Sequence, residues 1–192
     1  MKSDRKVTLR MLWEGPVTWS QRKQLPTEPG VYVILIEEDD GLKLARIGTT
    51  GDLSKRPYNY GAAPKEIETK LRVVWAKGPL SFKNDLQQLL TIAYPDRKIG
   101  HLQGWIERKL LDEYKKSHTN SRGKEKLPPG NAKGGYIKKY LAEIELEDGS
   151  PWDVRTIKAA NLDKKIRKWF RKHKKSSQKK FALHQSTDHN LP

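Results

Sequence analysis

Four side chains are of types that can take part in catalysis: Tyr32 on a predicted strand, Arg46 at the end of the next, Arg56 on a short predicted helix and Glu107 midway along a longer one. A tyrosine phenol can give or accept a proton, and a guanidinium offers a fork of donors that suits phosphate oxygens. A glutamate is a hard oxygen ligand for Mg²⁺, which usually takes one or two carboxylates and keeps several waters. Hydrolysis needs a basic water nucleophile and a neutralised anionic transition state, and these residue types could supply both.

Three strands are predicted to position these side chains. β-branched and aromatic residues on either side of the turn-forming stretch EDDG indicate a hairpin of two strands, 31–36 and 42–48. Alternation along the second strand would place Leu44 and Arg46 on the same face. A third strand is predicted at 71–76, and further strands at 7–13 and 140–146 lie outside this hairpin unit.

Helices are predicted from capping residues and from the spacing of apolar residues. They span, in chain order, residues 52–59, 81–93, 101–116 and 161–173. The first would be capped by Asp52 or Thr50 and limited by Pro57. The third is amphipathic and carries Glu107.

The predicted fold class is α/β of the α+β kind: a small three-stranded antiparallel sheet flanked by helices, with a basic helical C-terminal extension. The predicted division of the chain is an N-terminal strand and connection (1–24), a core (25–116), a loop or disordered insert with a late strand (117–150), a basic helix (151–180) and a disordered tail (181–192).

The composition favours a polyanionic partner. Lys and Arg number 39 against 23 Asp and Glu, for a formal net charge of +16, and basic proteins gain affinity for nucleic acid by releasing counterions from its backbone. The basic residues spread along the chain instead of flanking one apolar helix, which disfavours a membrane surface. No apolar run approaches the ~20 residues that cross a bilayer, and residues 1–10 lack the apolar centre of a secretory signal, so we expect a cytoplasmic, intracellular protein.

Cysteine chemistry is excluded, because the chain has no cysteine and therefore no disulfide, thiol nucleophile or cysteine-ligated zinc. The five histidines form no HExxH pair, so a structural zinc site is not expected. No small-molecule cofactor is indicated either.

The segment 155–180 holds twelve Lys or Arg against one acid, Asp163. Ile166, Trp169 and Phe170 form an apolar stripe at helical spacing. The cations beside this stripe are Lys164, Lys165, Arg167, Lys168, Arg171 and Lys172. A helix that packs by one side and presents cations from the other suits a duplex backbone, so we predict a mostly sequence-independent nucleic-acid contact. The simpler alternative is a solvated helix face.

Three stretches, in order, resemble the GIY-YIG nucleases. LPTEPGVYVI (25–34) is similar to the leader and first half-motif of excision-repair nuclease subunits, and RIGTTGDLSKR (46–56) to the second half-motif with the residues that follow it. WIERKLLDEYKK (105–116) resembles the later family helix, in which a glutamate precedes an apolar pair. The positions that match within the second stretch are Gly48, Thr50, Asp52, Leu53 and Arg56. Together the stretches cover about half the chain.

The resemblance implies a metal-dependent endonuclease whose catalytic core is 25–116. Tyr32 would be the base that accepts a proton from water, Arg46 and Arg56 would hold the phosphate, and Glu107 would bind Mg²⁺ or Mn²⁺. The implied partner is DNA, in double-stranded form. Further nucleic-acid contacts are predicted at Thr50, Lys55 and His101.

One position departs from the family pattern, because the second half-motif normally begins with tyrosine and here begins with Arg46. An arginine stays protonated and cannot be a base, but it can hold a phosphate and, as a fixed cation, favour ionisation of a nearby Tyr32. A basic residue at this position is known among restriction enzymes of the family. Tyr60 stands where the family often has a histidine or tyrosine near the metal site, which makes it a further catalytic candidate.

Two other functions stay open on the sequence. A protein that kept the fold but lost the chemistry at position 46 would bind nucleic acid without cutting it, and a ribosome- or RNA-associated basic protein would match the motifs by chance. The sequence does not distinguish between restriction, mobile-element, repair and defence roles. It also does not distinguish nicking from double-strand cleavage. A domain with one site that cuts both strands would have to form a homodimer or act twice.

Overall fold

A computed structural model describes residues 6–77, 100–131, 143–147 and 150–172. Within these ranges the chain forms a four-stranded antiparallel sheet, a separate pair of strands and several helices. The prediction of a mixed α+β fold is therefore confirmed. The helix predicted at 81–93 and the tail predicted at 181–192 lie outside the described residues.

Six strands form two sheets. They are, in chain order, β1 (Lys6–Arg10), β2 (Trp13–Thr18), β3 (Gly30–Glu38), β4 (Gly41–Thr50), β5 (Leu71–Lys77) and β6 (Glu143–Glu147). The main sheet has the spatial order β2-β5-β3-β4, and every neighbouring pair is antiparallel. β3, which carries Tyr32, therefore has a strand on each side. β1 pairs in parallel with β6, away from the main sheet.

The predicted count of three strands is wrong, because β2 adds a fourth at the edge of the sheet. Gly15 and Pro16 made this stretch resemble an irregular connection. The pairing register shifts between Glu14 and Val17, which takes Gly15 and Pro16 out of the hydrogen-bonded ladder. An edge strand tolerates a proline for this reason. The strand predicted at 7–13 is also corrected, since it consists of β1 and the start of β2.

Five helical segments complete the described fold. They are a 3₁₀ helix (Trp19–Gln24), α1 (Lys55–Tyr58), α2 (Lys65–Glu68), α3 (Gly100–Ser117) and α4 (Lys164–Lys172). α3 confirms the helix predicted at 101–116. α1 is shorter than the predicted 52–59, because the chain before it forms a turn around the Asp52 carboxylate. α4 begins later than predicted, because Asp163 caps it by accepting the N–H of Ile166 at 2.8 Å.

β3 is buried on both faces, and its alternating side chains enter two separate cores. The first core joins Val31, Val33 and Leu35 to Ile106, Leu110, Leu111 and Tyr114 of α3. The second core joins Tyr32, Ile34 and Ile36 to Trp19, Tyr60, Ile67, Ile166 and Phe170. Each large apolar side chain buried in this way contributes roughly 1.5–3 kcal/mol. The sheet is thus stabilised from both sides, by α3 on one face and by the 3₁₀ helix, α2 and α4 on the other.

A β-bulge at Ala45 sets the orientation of Arg46. Ile34 pairs with Arg46 and Leu35 with Leu44, so Ala45 is an extra residue in β4. Leu44 packs in the first core and Ala45 in the second, and Arg46 lies against a ring of the second core. The predicted shared face of Leu44 and Arg46 is therefore wrong, because a bulge redirects the side chains that follow it.

Candidate functional site

Tyr32 and Tyr60 meet through their hydroxyl groups in the second core. Their Oη atoms are 3.0 Å apart and share a hydrogen bond. Tyr32 projects from β3 across Gly48 of the neighbouring strand, where a Cβ would collide with the phenol ring. The glycine of the second half-motif, Gly48, is therefore explained sterically, because the absence of a side chain leaves room for the ring of Tyr32. The two tyrosines are 1% and 2% exposed.

Aromatic side chains enclose Tyr60. Its ring lies 6.2 Å from that of Trp19, 5.6 Å from that of Trp169 and 6.1 Å from that of Phe170, measured between centroids. The indole N–H of Trp169 also donates to the carbonyl oxygen of Tyr60 at 3.1 Å. Trp169 and Phe170 belong to α4, so this helix covers the tyrosine pair.

The environment of Tyr60 keeps its hydroxyl protonated. Burial raises the pKa of Tyr60 well above its usual range, and Tyr32 raises it further, while Arg46 and Arg56 act in the opposite direction. Near neutral pH, Tyr60 is therefore a hydrogen-bond donor rather than a base.

Tyr60 and Tyr114 are expected to ionise late in an alkaline titration. Burial raises the pKa of Tyr114 to about 12 and that of Tyr60 well above its usual range, whereas an unfolded tyrosine ionises near pH ~10. The stability that these neutral phenols contribute is complete below pH ~10 and is lost as the pH rises towards their folded pKa values. Tyrosinate absorbance should show a late step that loses one tyrosine in Tyr60→Phe. A folded protein in which every tyrosine ionises near pH ~10 would contradict this.

Two guanidinium groups lie beside the ring of Tyr60. The Cζ atoms of Arg46 and Arg56 are 5.4 Å and 6.0 Å from its centroid, within the range of cation–π attraction. Arg46 is 6% exposed, and its Nη1 donates to the carbonyl oxygens of Gly130 at 2.6 Å and Phe170 at 3.0 Å. Its Nε has no hydrogen-bond partner among the described residues.

Both arginines stay charged. Burial by itself would lower the pKa of Arg46, but Tyr60, Tyr32 and Glu107 outweigh it and raise the pKa. The pKa of Arg56 is also raised, because Tyr32 and Tyr60 outweigh the effect of its burial. The site therefore holds two fixed cations, which favour negative charge on a phenol or on a phosphate oxygen.

Glu107 approaches the site from the opposite face of the sheet. Its Oε2 accepts a hydrogen bond from the hydroxyl of Thr49 at 3.0 Å, and Thr49 stands opposite Val31, a residue of the first core. The tyrosine pair belongs to the second core. Glu107 and the tyrosines therefore flank β4 from its two faces, although the charge of Glu107 still helps to raise the pKa of Arg46.

Glu107 fits a divalent ion of the water-rich kind. Within the described ranges, no three His, Cys, Asp or Glu side chains come together as they would around a buried metal. Mg²⁺ takes only one or two carboxylates and keeps several of its waters. One carboxylate beside the Thr49 hydroxyl could hold such an ion only together with waters or phosphate oxygens.

The residues that follow the second half-motif build a turn. The Thr50 hydroxyl donates to the Asp52 carbonyl at 2.9 Å and accepts the Asp52 N–H at 3.1 Å. Hydrogen bonds from Ser54 and Lys55 lower the pKa of the Asp52 carboxyl to about 2. The Lys55 side chain pairs with Asp52 and is largely exposed. Thr50 thus holds the turn, Lys55 faces solvent, and His101 lies in the first turn of α3.

The cations of α4 lie on its outer side. Ile166 and Phe170 are buried, whereas the five described cationic side chains are exposed. These are Lys164, Lys165, Arg167, Lys168 and Arg171, and Lys172 ends the helix. Lys165 pairs with Glu66 of α2. Four of these cations line an open groove of about 580 Å³ together with Leu162: Lys164, Arg167, Lys168 and Arg171.

Two residues that contact the site were not predicted. The buried amide of Asn131 accepts the Ile47 N–H at 3.0 Å and donates to the Ile47 carbonyl at 2.8 Å, as a neighbouring strand would. Gly130 accepts from Arg46 and packs against Phe170, and a Cβ there would lie 2.9 Å from the Ala45 carbonyl oxygen. Both lie in a stretch predicted to be a loop or disordered insert, where an isolated asparagine or glycine carries no sequence signal.

No protein-family model, curated protein or solved structure matches this chain. Among the helices that the structure describes, none combines the length and apolar character needed to cross a bilayer.

Proposed function

We propose that this chain is a metal-dependent endonuclease of the GIY-YIG kind that hydrolyses phosphodiester bonds of double-stranded DNA. The observation that carries the proposal is the meeting of four residues from separate parts of the chain. The hydroxyls of Tyr32 and Tyr60 are 3.0 Å apart, and the guanidinium groups of Arg46 and Arg56 lie over the ring of Tyr60. Phenols beside fixed cations suit proton transfer next to a phosphate.

The proposed step uses these groups in distinct roles. The oxygen of water attacks phosphorus, the bond from phosphorus to the leaving sugar oxygen breaks, a proton of the water passes to Tyr32 as the general base, and the leaving oxygen takes a proton from solvent. Tyr60, which burial keeps protonated, shares a hydrogen bond with Tyr32 and orients it. Arg46 and Arg56 hold the phosphate oxygens and neutralise the charge that develops on them.

Glu107, with Thr49 beside it, would hold the divalent ion. A bound Mg²⁺ or Mn²⁺ supplies Lewis-acid neutralisation of phosphate charge, worth several kcal/mol of transition-state stabilisation. Arg46 connects this position to the tyrosines electrostatically. Its guanidinium lies over the ring of Tyr60, and the charge of Glu107 helps to raise its pKa.

Cleavage of supercoiled plasmid with Mg²⁺ or Mn²⁺, beside EDTA, tests the proposal. We expect metal-dependent conversion to nicked or linear plasmid, slowed by about 100-fold or more in Tyr32→Phe because loss of a general base costs about 10²–10⁴ in rate. Tyr114→Phe is the matched control, since Tyr114 is an equally buried tyrosine of the first core. Equal rates in the two variants would contradict the role of Tyr32.

A second candidate function is nucleic-acid binding without cleavage. It is favoured by the burial of Tyr32, Tyr60 and Arg46, and by the use of Arg46 Nη1 on two carbonyl oxygens. This function predicts salt-sensitive DNA binding and no strand breaks on plasmid, branched DNA or RNA. A preference for RNA over a DNA duplex of equal length would instead favour an RNA-associated protein.

A further inference from the structure

Helix α4 has two faces with different relations to the site. Its inner face carries Trp169 and Phe170, whose rings lie against Tyr60, and the carbonyl of Phe170 accepts from Arg46. Tyr32 and Tyr60, 1% and 2% exposed, lie in the core that this face completes. A phosphodiester therefore cannot reach the hydroxyl pair while α4 is in this position.

The outer face of the same helix carries the cations. Each of Lys164, Arg167, Lys168 and Arg171 lies three or four residues from two of the others, the spacing that places side chains on one side of a helix. All four are exposed and line the groove of about 580 Å³. A stripe of unburied cations along one helix face suits a nucleic-acid backbone, whose phosphates it contacts without reading the bases.

Binding at the outer face and chemistry at the inner face conflict in this arrangement. A helix with its side chains is about 10 Å across, so a backbone held on the outer cations is separated from Tyr32 by the width of α4. Both contacts form together only if the helix moves. The nuclease proposed above therefore needs α4 to change position during each reaction.

We propose that α4 is a lid that closes over the tyrosine pair and opens when its cations and the uncovered Arg46 engage one nucleic-acid backbone. This inference rests on the proposed function. A ligand shifts a conformational equilibrium only through a difference in affinity between the two states. In the closed state Arg46 is buried and bonded to the Phe170 carbonyl, whereas in the open state a backbone meets Arg46 as well as the cations of α4, and that difference favours opening.

Apolar burial and a few polar contacts hold the lid. Ile166 and Phe170 are buried in the second core, so opening exposes apolar surface that the new phosphate contacts must offset. Among the described residues, hydrogen bonds join α4 to the site from Arg46 to the Phe170 carbonyl and from Trp169 to the Tyr60 carbonyl. Lys165 adds an exposed ion pair with Glu66, and such pairs contribute little. On opening, Arg46 exchanges a carbonyl for a phosphate oxygen, which is the stronger acceptor because it is charged.

A reversible cross-link across the exposed ion pair tests the lid. The chain has no cysteine, so in Glu66→Cys/Lys165→Cys a bismaleimide with a reducible spacer joins only α2 and α4. We expect the cross-linked protein to bind plasmid within about threefold of the reduced form but to cut it at least about tenfold more slowly, with recovery on reduction. Glu37→Cys/Arg72→Cys is the control, because it links two strands that are already paired and leaves α4 unrestrained.

The outcomes separate the lid from the nuclease. Cleavage that is equally fast before and after reduction overturns the lid while the nuclease stands. Absence of cleavage in wild type and in the reduced variant overturns the nuclease, and nitration of Tyr60 by tetranitromethane in the presence of a DNA duplex then decides the lid. Nitration slowed about tenfold by the cross-link supports opening of α4, and unchanged nitration overturns it.

Discussion

Glu107→Gln is expected to slow metal-dependent DNA cleavage by about a thousandfold. A divalent ion neutralises phosphate charge to the extent of several kcal/mol, and each ~1.4 kcal/mol is a factor of ten in rate. Glutamine keeps the size of the side chain but replaces one carboxylate oxygen by a donor, so it loses the charge that binds the ion. Gel quantitation of nicked and linear plasmid at a fixed Mg²⁺ concentration measures the effect.

The same substitution is expected to leave the fold intact. Glu107 is half-buried, and its Oε2 accepts a hydrogen bond from the hydroxyl of Thr49. Glutamine retains an acceptor oxygen for that hydroxyl, so the change in the free energy of unfolding should be below about 1 kcal/mol. A denaturation midpoint close to that of wild type would therefore assign the lost cleavage to chemistry rather than to unfolding.

Glu113→Gln is the matched control on the same helix. Glu113 accepts hydrogen bonds from Lys109 at 2.7 Å and Lys116 at 2.9 Å, and its pKa is lowered by both lysines even though burial acts against this. It shares the charge and the helix of Glu107 but not the contact with β4. Cleavage by Glu113→Gln should stay near wild type. If Glu107→Gln also cuts at the wild-type rate, the metal is held elsewhere and the proposed role of Glu107 is wrong.

The strands of the hairpin were predictable from local sequence because they are buried on both faces. A strand with both faces covered forms a continuous apolar, β-branched run, and residues 31–36 are such a run. Antiparallel pairing of β3 with β4 then brings Tyr32 opposite Gly48 by register alone. The meeting of the two half-motifs is thus a consequence of the hairpin.

The rest of the site depends on contacts between distant parts of the chain. The bulge at Ala45 gives no signal in the alternation of β4, yet it decides that Arg46 faces the tyrosines. The apolar stripe of α4 predicts a buried face but not that the ring of Tyr60 lies beneath it. Hydrophobic periodicity specifies which side of an element is buried and leaves its partner open. For the same reason the sequence did not predict that Glu107 and the tyrosines lie on opposite faces of the sheet. Helical periodicity does not say which face of the sheet α3 covers.

Arg46→Met is expected to lower the free energy of unfolding by about 3 kcal/mol, since it leaves two buried carbonyl oxygens without a donor, at about 1–3 kcal/mol each. Those carbonyls belong to Gly130 and Phe170. Part of this loss is offset because the substitution removes a buried guanidinium, whose desolvation is costly. Methionine fills a similar volume, so packing against Tyr60 is largely retained.

Thermal and denaturant unfolding, followed by far-ultraviolet circular dichroism, measure this loss. A decrease of about 10 °C in Tm corresponds to it for a chain of this length. Arg72→Met is the control, because Arg72 also donates to two carbonyl oxygens, those of Thr69 and Leu71, and pairs with Glu37, but in a more exposed place. Water can replace the lost donor there, and an exposed ion pair contributes about 1 kcal/mol or less. Equal losses in the two variants would contradict a special structural role for Arg46.

The cleavage rate of Arg46→Met then separates the two roles that this arginine combines. Loss of its bond to the Phe170 carbonyl weakens the hold on α4, which by itself would expose the tyrosine pair and raise the rate. Loss of a phosphate contact lowers the rate, by about 100-fold if the contact is made mainly in the transition state. Measured well below the reduced Tm, a slower reaction assigns Arg46 to phosphate binding. An unchanged or faster reaction assigns it to the closed position of α4 alone.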